Sequence, residues 1–280
     1  MLGIINKTPT REILALFLVT GLAICFYESD IHKSAFFVQR PRRVIANDIS
    51  CNGTSVIEAC RRADTIRVLF VVETNANNRG VRLFIRNSYA GPQFSSPLRW
   101  LTVLHIRGEP MPQMYRECSV YGDMVVLGPS MGFLHFAPWI LQHCPKVELV
   151  VSLEERFLPH PFYLPNYRIL NMDHRRNTVH CVVRDVGGTQ GCKPGVMVLW
   201  RSALEEFIET GTEGEDRLVS SRLPVMDMSS YVSTGENMTM LYTIGAVVFY
   251  RYPEGLNCTM RGLWRKVIKS PDNNPGDLWL

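Results

Sequence analysis

Residues 139–159 read WILQHCPKVELVVSLEERFLP, which is the pattern of a helix, a stop and a strand. Apolar residues recur at helical spacing in the first half, Cys144-Pro145 closes it, and Val147, Leu149, Val150 and Val151 form an apolar run of buried-strand length. Directly behind that run stand Ser152, Leu153, Glu154, Glu155 and Arg156. In α/β chains ligands are held outside the carboxyl ends of buried strands, so charges crowded there form a candidate site. A solvated turn with an internal ion pair is the plain alternative.

The neighbouring segments repeat the strand-then-helix theme. Thr65 to Thr74, TIRVLFVVET, is a nearly continuous β-branched and aromatic run, as expected of a strand covered on both faces. Residues 75–80 have loop composition, and Val81 to Tyr89, VRLFIRNSY, sets Arg82 and Arg86 four apart on one helical face. Arginines just past a buried strand suit an oxyanion, since the guanidinium fork binds phosphate bidentately; a solvated helix face explains them too. Trp100 to Ile106 reads as a second buried strand, and a polar segment from Glu117 leads into a third, Asp123 to Leu127. Phe133 to His143 reads as a helix. Beyond Arg156 the chain is expected to run irregularly through Pro159, Pro161 and Pro165 as loop over the strand ends. Gly191 to Thr210 reads as a turn, a strand and a helix, followed by Glu213-Gly214-Glu215-Asp216-Arg217.

This alternation predicts one α/β domain in a chain of 280 residues. The net charge of +4 is small, and the basic residues are scattered apart from Arg40, Arg42 and Arg43, so nucleic acid is excluded as a partner. No GxSxG, P-loop or GxGxxG stands at a strand-to-helix junction, which removes hydrolase and dinucleotide readings. Histidines 135, 143, 160, 174 and 180 are scattered and read as structural or surface residues.

The first fifty residues read as an address. Ile13 to Tyr27 is uncharged and apolar, Lys7 and Arg11 precede it, and Glu28 and Asp30 follow it. The positive-inside bias then gives a cytosolic tail at 1–12, a transmembrane signal anchor at 13–27, a stem at 28–50 and a lumenal body at 51–280. A cleaved signal peptide is the competing reading, but no small-x-small cleavage site follows Ala23. The cluster Arg40-Pro41-Arg42-Arg43 is either a basic patch facing anionic headgroups or a dibasic protease site ending at Arg43. Seven cysteines lie beyond the anchor, at 51, 60, 118, 144, 181, 192 and 258, without CxxC pairs, so disulfides are expected and an odd thiol remains. Asn52, Asn237 and Asn257 each open an Asn-x-Thr sequon usable only on the lumenal side.

Over most of residues 60–225 the order of motifs resembles the β-1,3-galactosyltransferase-like hexosyltransferases, glycosyltransferase family 31. The family's arginine-rich helix is similar to Gly80, Val81, Arg82, Ile85, Arg86, Ser88 and Tyr89, with Arg79 near its first arginine. Its Gly-Glu turn matches Gly108-Glu109, and its Glu-x-x-x-Tyr-Gly-Asp segment matches Glu117, Tyr121, Gly122, Asp123 and Met124. Trp139, Cys144 and Pro145 match the approach to the family's three-aspartate metal motif, where this chain has Glu154, Glu155 and Arg156. Farther on, Cys192 to Trp200 resembles a Cys-x-Gly-x-Gly-Tyr segment without its first glycine and its tyrosine. Glu215-Asp216 keeps the family's acidic pair, without the glycine that follows it.

The resemblance implies a GT-A-like, Rossmann-like α/β glycosyltransferase domain behind the anchor, a single-pass type II Golgi membrane protein. It implies transfer of galactose or an N-acetylhexosamine from a UDP-sugar to a glycan acceptor on glycoprotein or glycolipid, in β-1,3 linkage. Asp216, beside Glu215, would be the catalytic base, Arg82, Arg86, Asp123 and Glu155 would serve the donor, and Glu154 and Arg156 would stand at the metal position. The family's metal is usually Mn²⁺. Arginine at the third position removes a carboxylate that a hard cation prefers and adds a positive charge nearby. Two consequences are open: Arg156 itself neutralises the diphosphate, or the chain is an inactive paralogue that binds partners in the Golgi or acts there like a chaperone.

Overall fold

The β-branched run at the centre of the sequence becomes the centre of the sheet, because a strand without polar alternation is stable only when both faces are covered. The structure, a computed structural model, describes residues 51–64, 66–92, 99–127, 132–160, 177–186, 189–213, 218–220, 223–229, 232–233, 249–251 and 264–265. The chain divides into two units, Met1–Arg43 and Val44–Leu280, and every described residue belongs to the second. In chain order come α1 (Thr54–Arg62), β1 (Ile66–Asn75), α2 (Arg79–Arg86), β2 (Trp100–Arg107), α3 (Pro112–Tyr121), β3 (Met124–Val126), α4 (Phe133–His143) and β4 (Val147–Glu154). Then follow β5 (Phe157–Pro159), β6 (Val179–Val186), β7 (Thr189–Trp200), α5 (Arg201–Thr210), β8 (Gly211–Glu213), β9 (Leu218–Ser220), β10 (Val225–Asp227), β11 (Val232–Ser233) and β12 (Phe249–Arg251).

The main sheet runs β10-β6-β7-β4-β1-β2-β3. Strands β3, β2, β1 and β4 are mutually parallel, whereas β7 is antiparallel to both β4 and β6. Side-chain alternation divides the core between the two faces. Phe70, Val72, Leu104, Leu149 and Val151 pack with Ile85, Tyr89, Met114 and Cys118 of the α2–α3 side. Leu69, Val71, Val103 and Val150 pack with Val56 of α1, Phe136 and Ile140 of α4, and Leu204 and Phe207 of α5.

Two glycines settle how α1 meets the sheet edge. Gly53 precedes α1 at φ +74, and a Cβ there would lie 2.8 Å from Val125 and 2.9 Å from Trp139, so the backbone approaches where no side chain fits. Gly122 ends α3 in the left-handed region, its N–H bonded to the Cys118 carbonyl at 2.8 Å. Six cysteines pair as Cys51–Cys118, Cys60–Cys144 and Cys181–Cys192. The odd one of the seven, Cys258, lies outside the described residues.

Several expectations change. The opening strand does not end at Val151 but continues to Glu154, so Ser152 and Glu154 are sheet residues and only Glu155 and Arg156 form the turn. The stretch after Arg156 is not irregular at once: Phe157–Pro159 pairs antiparallel with Phe249–Arg251, forming with Val232–Ser233 a second, three-stranded sheet. The polar segment at Glu117 is the second half of a helix begun by Pro112, whose missing N–H costs nothing in a first turn. Among the described residues no helix is long and apolar enough to cross a membrane, and Ile13 to Tyr27, like the stem, lies outside them.

Candidate functional site

In an open parallel sheet, a crevice opens at the carboxyl ends where the connections leave in opposite directions. Here β2 and β3 lie on one side of β1 and β4 on the other, so the switch point is between β1 and β4. The register places Glu73 opposite both Glu154 and His105, and Asn75 opposite Arg107. Period-two alternation then puts Glu73, His105, Arg107, Ser152 and Glu154 on the α4 side at this end of the sheet. Arg107 Nη1 donates to Glu73 Oε2 at 3.2 Å. The sequence singled out Glu154, Glu155 and Arg156; it missed Glu73, His105 and Arg107, whose common signal is a polar residue at or next to the end of an otherwise apolar run.

Glu155 joins the two strand ends. Its N–H donates to the Glu73 carbonyl at 2.9 Å, one carboxylate oxygen accepts the Asn75 N–H at 3.2 Å, and the other accepts the Asn78 side-chain amide. The loop leaving β1 is thereby fastened to the turn leaving β4. Both oxygens of Glu155 are therefore in use, and Arg156 brings a cation rather than a third carboxylate. Among the described residues no three His, Cys, Asp or Glu side chains converge to hold a metal. Glu154, Glu155 and Arg156 thus do not fit a divalent ion held as the family motif holds it.

Arg82 and Arg86 both belong to α2, but the structure turns them inward. Arg82 Nε and Nη2 donate to the two oxygens of Glu117 at 3.0 and 2.7 Å, and Nη1 donates to the carbonyls of Asn75 and Ala76 at 2.8 and 3.2 Å. With Arg82 only 1% exposed, no fork remains to face a phosphate directly, and the expected donor contact becomes a clamp on the loop behind β1. Arg86 donates to both oxygens of Asp123 at 2.7 Å and to Glu117 at 2.6 Å, while its guanidinium lies 3.9 Å above the Tyr121 ring.

Burial disfavours the charge on Arg86, but the hydrogen bonds and charges of Asp123 and Glu117 outweigh it and raise its pKa. Burial likewise pushes Glu117 up, and the bonds from Arg82 and Arg86 more than reverse this, leaving it below its ordinary value. The matched motifs around residues 82–89 and 117–124 are therefore two halves of one buried ion network. Asp123 immediately precedes Met124, the register partner of Leu104, so it stands halfway down β2 rather than at the carboxyl ends. Beside it a cavity of about 170 Å³ is lined by Arg86, Asp123, Ser55, Trp100 and Thr102 among others.

His105 is fully buried against Phe136, ring centroids 4.9 Å apart, and neither ring nitrogen has a hydrogen-bond partner among the described residues. Burial, helped by the charges of Arg107 and His135, lowers its pKa to about 4, so the ring is neutral at physiological pH. Glu215 and Asp216, the candidate base and its neighbour, lie outside the described residues, as do His174 and the sequons at Asn237 and Asn257.

No protein-family model matches this chain, and no curated protein matches it. Among solved structures it is similar to a glycosyltransferase involved in glycosylation of the major capsid of PBCV-1, at 10% identity and TM-score 0.41, covering 71% of this chain and 98% of that one. It is also similar to the glycosyltransferase GlyE of Streptococcus pneumoniae, at 12% identity and TM-score 0.35, covering 73% and 60%. A cytidylyltransferase of Leptospira borgpetersenii gives 12% identity and TM-score 0.31, covering 51% and 64%. At these identities and scores the likeness assigns this chain neither an activity nor a ligand.

Proposed function

We propose that this protein is a glycosyltransferase of GT-A type that takes a nucleotide sugar, UDP-linked by the resemblance, at the switch point between β1 and β4. One observation carries the reading: parallel strands in the order β3-β2-β1-β4, with Glu154-Glu155-Arg156 at the crevice and the loop behind β1 fastened to that turn. The donor's diphosphate would meet Arg156, whose positive charge supplies there what a hard cation supplies elsewhere. Arg82, Glu117 and Glu155 would act as positioning residues that hold residues 75–78. Asp216 would take the proton of an acceptor hydroxyl as that oxygen attacks the anomeric carbon and the nucleoside diphosphate leaves. A hexosyl group passed to a glycan acceptor, in a Golgi membrane entered through residues 13–27, is the finer form of this proposal.

A second reading is a binding protein on the same fold that has lost transfer. It is favoured by Glu155, whose carboxylate holds the fold, and by the arginine that follows it. Calorimetry of UDP and UDP-sugars with the unit Val44–Leu280, with and without Mn²⁺, beside an Arg156→Asp variant, separates them. Metal-independent binding by the wild type, lost in the variant, is expected. Absence of binding by both folded proteins would overturn the donor site; binding by the variant alone, with metal, would favour the inactive form.

A further inference from the structure

We propose that Asn52 carries an N-linked oligosaccharide covering the β3 edge of the sheet, a modification that rests on the lumenal location proposed above. Asn52 and Thr54, the two sequon residues that take part in the chemistry, are both exposed. Neither side chain makes a hydrogen bond among the described residues, and Asn52 is held through its backbone by the bridge to Val125. The fold therefore makes no use of either polar side chain. The residue between them is different. Gly53 is demanded by packing, because a Cβ would meet Val125 and Trp139 below 3 Å. The sequon thus sits where the backbone is pinned while Asn52 and Thr54 themselves stay exposed.

The place itself supplies a purpose. β3 is the last strand on its side of the main sheet, and an exposed strand edge is a template for pairing with other chains. Residues 51–55 lie along that edge: the Val126 N–H donates to the Cys51 carbonyl at 2.9 Å and the Ser55 N–H to the Gly122 carbonyl at 2.9 Å. A glycan on Asn52 extends this cover outward.

The step needs a lipid-diphosphate-linked oligosaccharide and the transferase of the secretory membrane. Asn52 Nδ2 bonds to the sugar's anomeric carbon as that carbon's bond to phosphate oxygen breaks. The electron pair leaves with the lipid diphosphate, and the amide proton goes to a base of the transferase.

The test is expression of the full chain in a eukaryotic secretory cell, in an N237Q/N257Q background, followed by peptide N-glycosidase digestion. The expected result is a single mobility step removed by the enzyme, retained by T54S, and abolished by N52Q and by T54V; peptide mass spectrometry should show deamidation of residue 52. If the wild type loses steps on digestion but the N237Q/N257Q protein does not, this proposal fails and the lumenal location stands. If the wild type shows no step at all, this proposal fails, and protease protection of the body in sealed microsomes decides the lumenal location separately.

Discussion

Glu117 joins the two arginines of α2, so replacing it by glutamine should do far more than remove one surface-like ion pair. Glutamine keeps the volume but withdraws the charge, leaving Arg82 buried with two of its donors facing a neutral amide. Breaking a buried pair on one side costs about 3–5 kcal/mol, because the remaining charge stays desolvated. For a domain of this size each kcal/mol moves the thermal midpoint by about 2–4 °C, giving a fall of roughly 6–20 °C for E117Q. The assay is thermal and urea unfolding with the disulfides intact. R82M/E117L, which removes both partners and leaves Arg86 its two bonds to Asp123, should recover only part of the loss, because the Asn75 and Ala76 carbonyls lose the Arg82 donor.

The same network fixes an acid limb. The folded-state pKa of Glu117 lies below its ordinary 4.5, so its contribution is complete above that pH and lost as pH falls through the folded value. In E117Q that limb should be missing. A midpoint for E117Q within about 2 °C of wild type, less than 1 kcal/mol on the same scale, would refute the reasoning.

His105 works in a different window. Its pKa is lowered from 6.5 to about 4, so the stability it contributes is present above 6.5 and lost progressively toward 4; H105F should flatten the pH dependence of the unfolding free energy there, from urea titrations, by up to about 1.4 kcal/mol per pH unit. An unchanged slope would mean that the ring takes up a proton in place. E155Q should weaken the tie between residues 75–78 and the β4 turn, lowering stability by about 1.5 kcal/mol and reducing UDP binding by calorimetry; unchanged binding would separate the tie from the site. G53A should cost about 2–4 kcal/mol in urea unfolding, from the left-handed backbone and the contacts with Val125 and Trp139, and a loss below 0.5 kcal/mol would show that the edge yields.

What could be read from the sequence follows how local each signal is. β1, β2, β4 and the β7–α5 pair were legible because their apolar runs state their own burial, and the α/β class follows from their alternation with helices. The pair Arg82 and Arg86 was visible at helical spacing, but its partners lie 31 to 37 residues away, and no local pattern links Arg86 to Asp123. Local spacing offers a ligand or a solvated helix face for these guanidinia, and neither reading contains their bonds to Glu117 and Asp123. β5 escaped notice because three residues ending in proline carry no period, and its partner β12 is some ninety residues on. Glu73 stands at the end of an apolar run, where a polar residue reads equally well as the strand's stop, and His105 is one polar residue inside the run that ends at Ile106. That disulfides form was readable from composition, whereas which cysteines meet is a property of the folded chain.

Two of those bridges begin within ten residues of each other, Cys51 to α3 and Cys60 to α4, on either side of Gly53. Tension on the chain ahead of residue 51 is handed through sulfur to α3 and α4 before it can peel α1 from the sheet. Pulled from that side, the unit resists as a riveted corner does; beyond β4 the one bridge among the described residues, Cys181–Cys192, ties only β6 to β7.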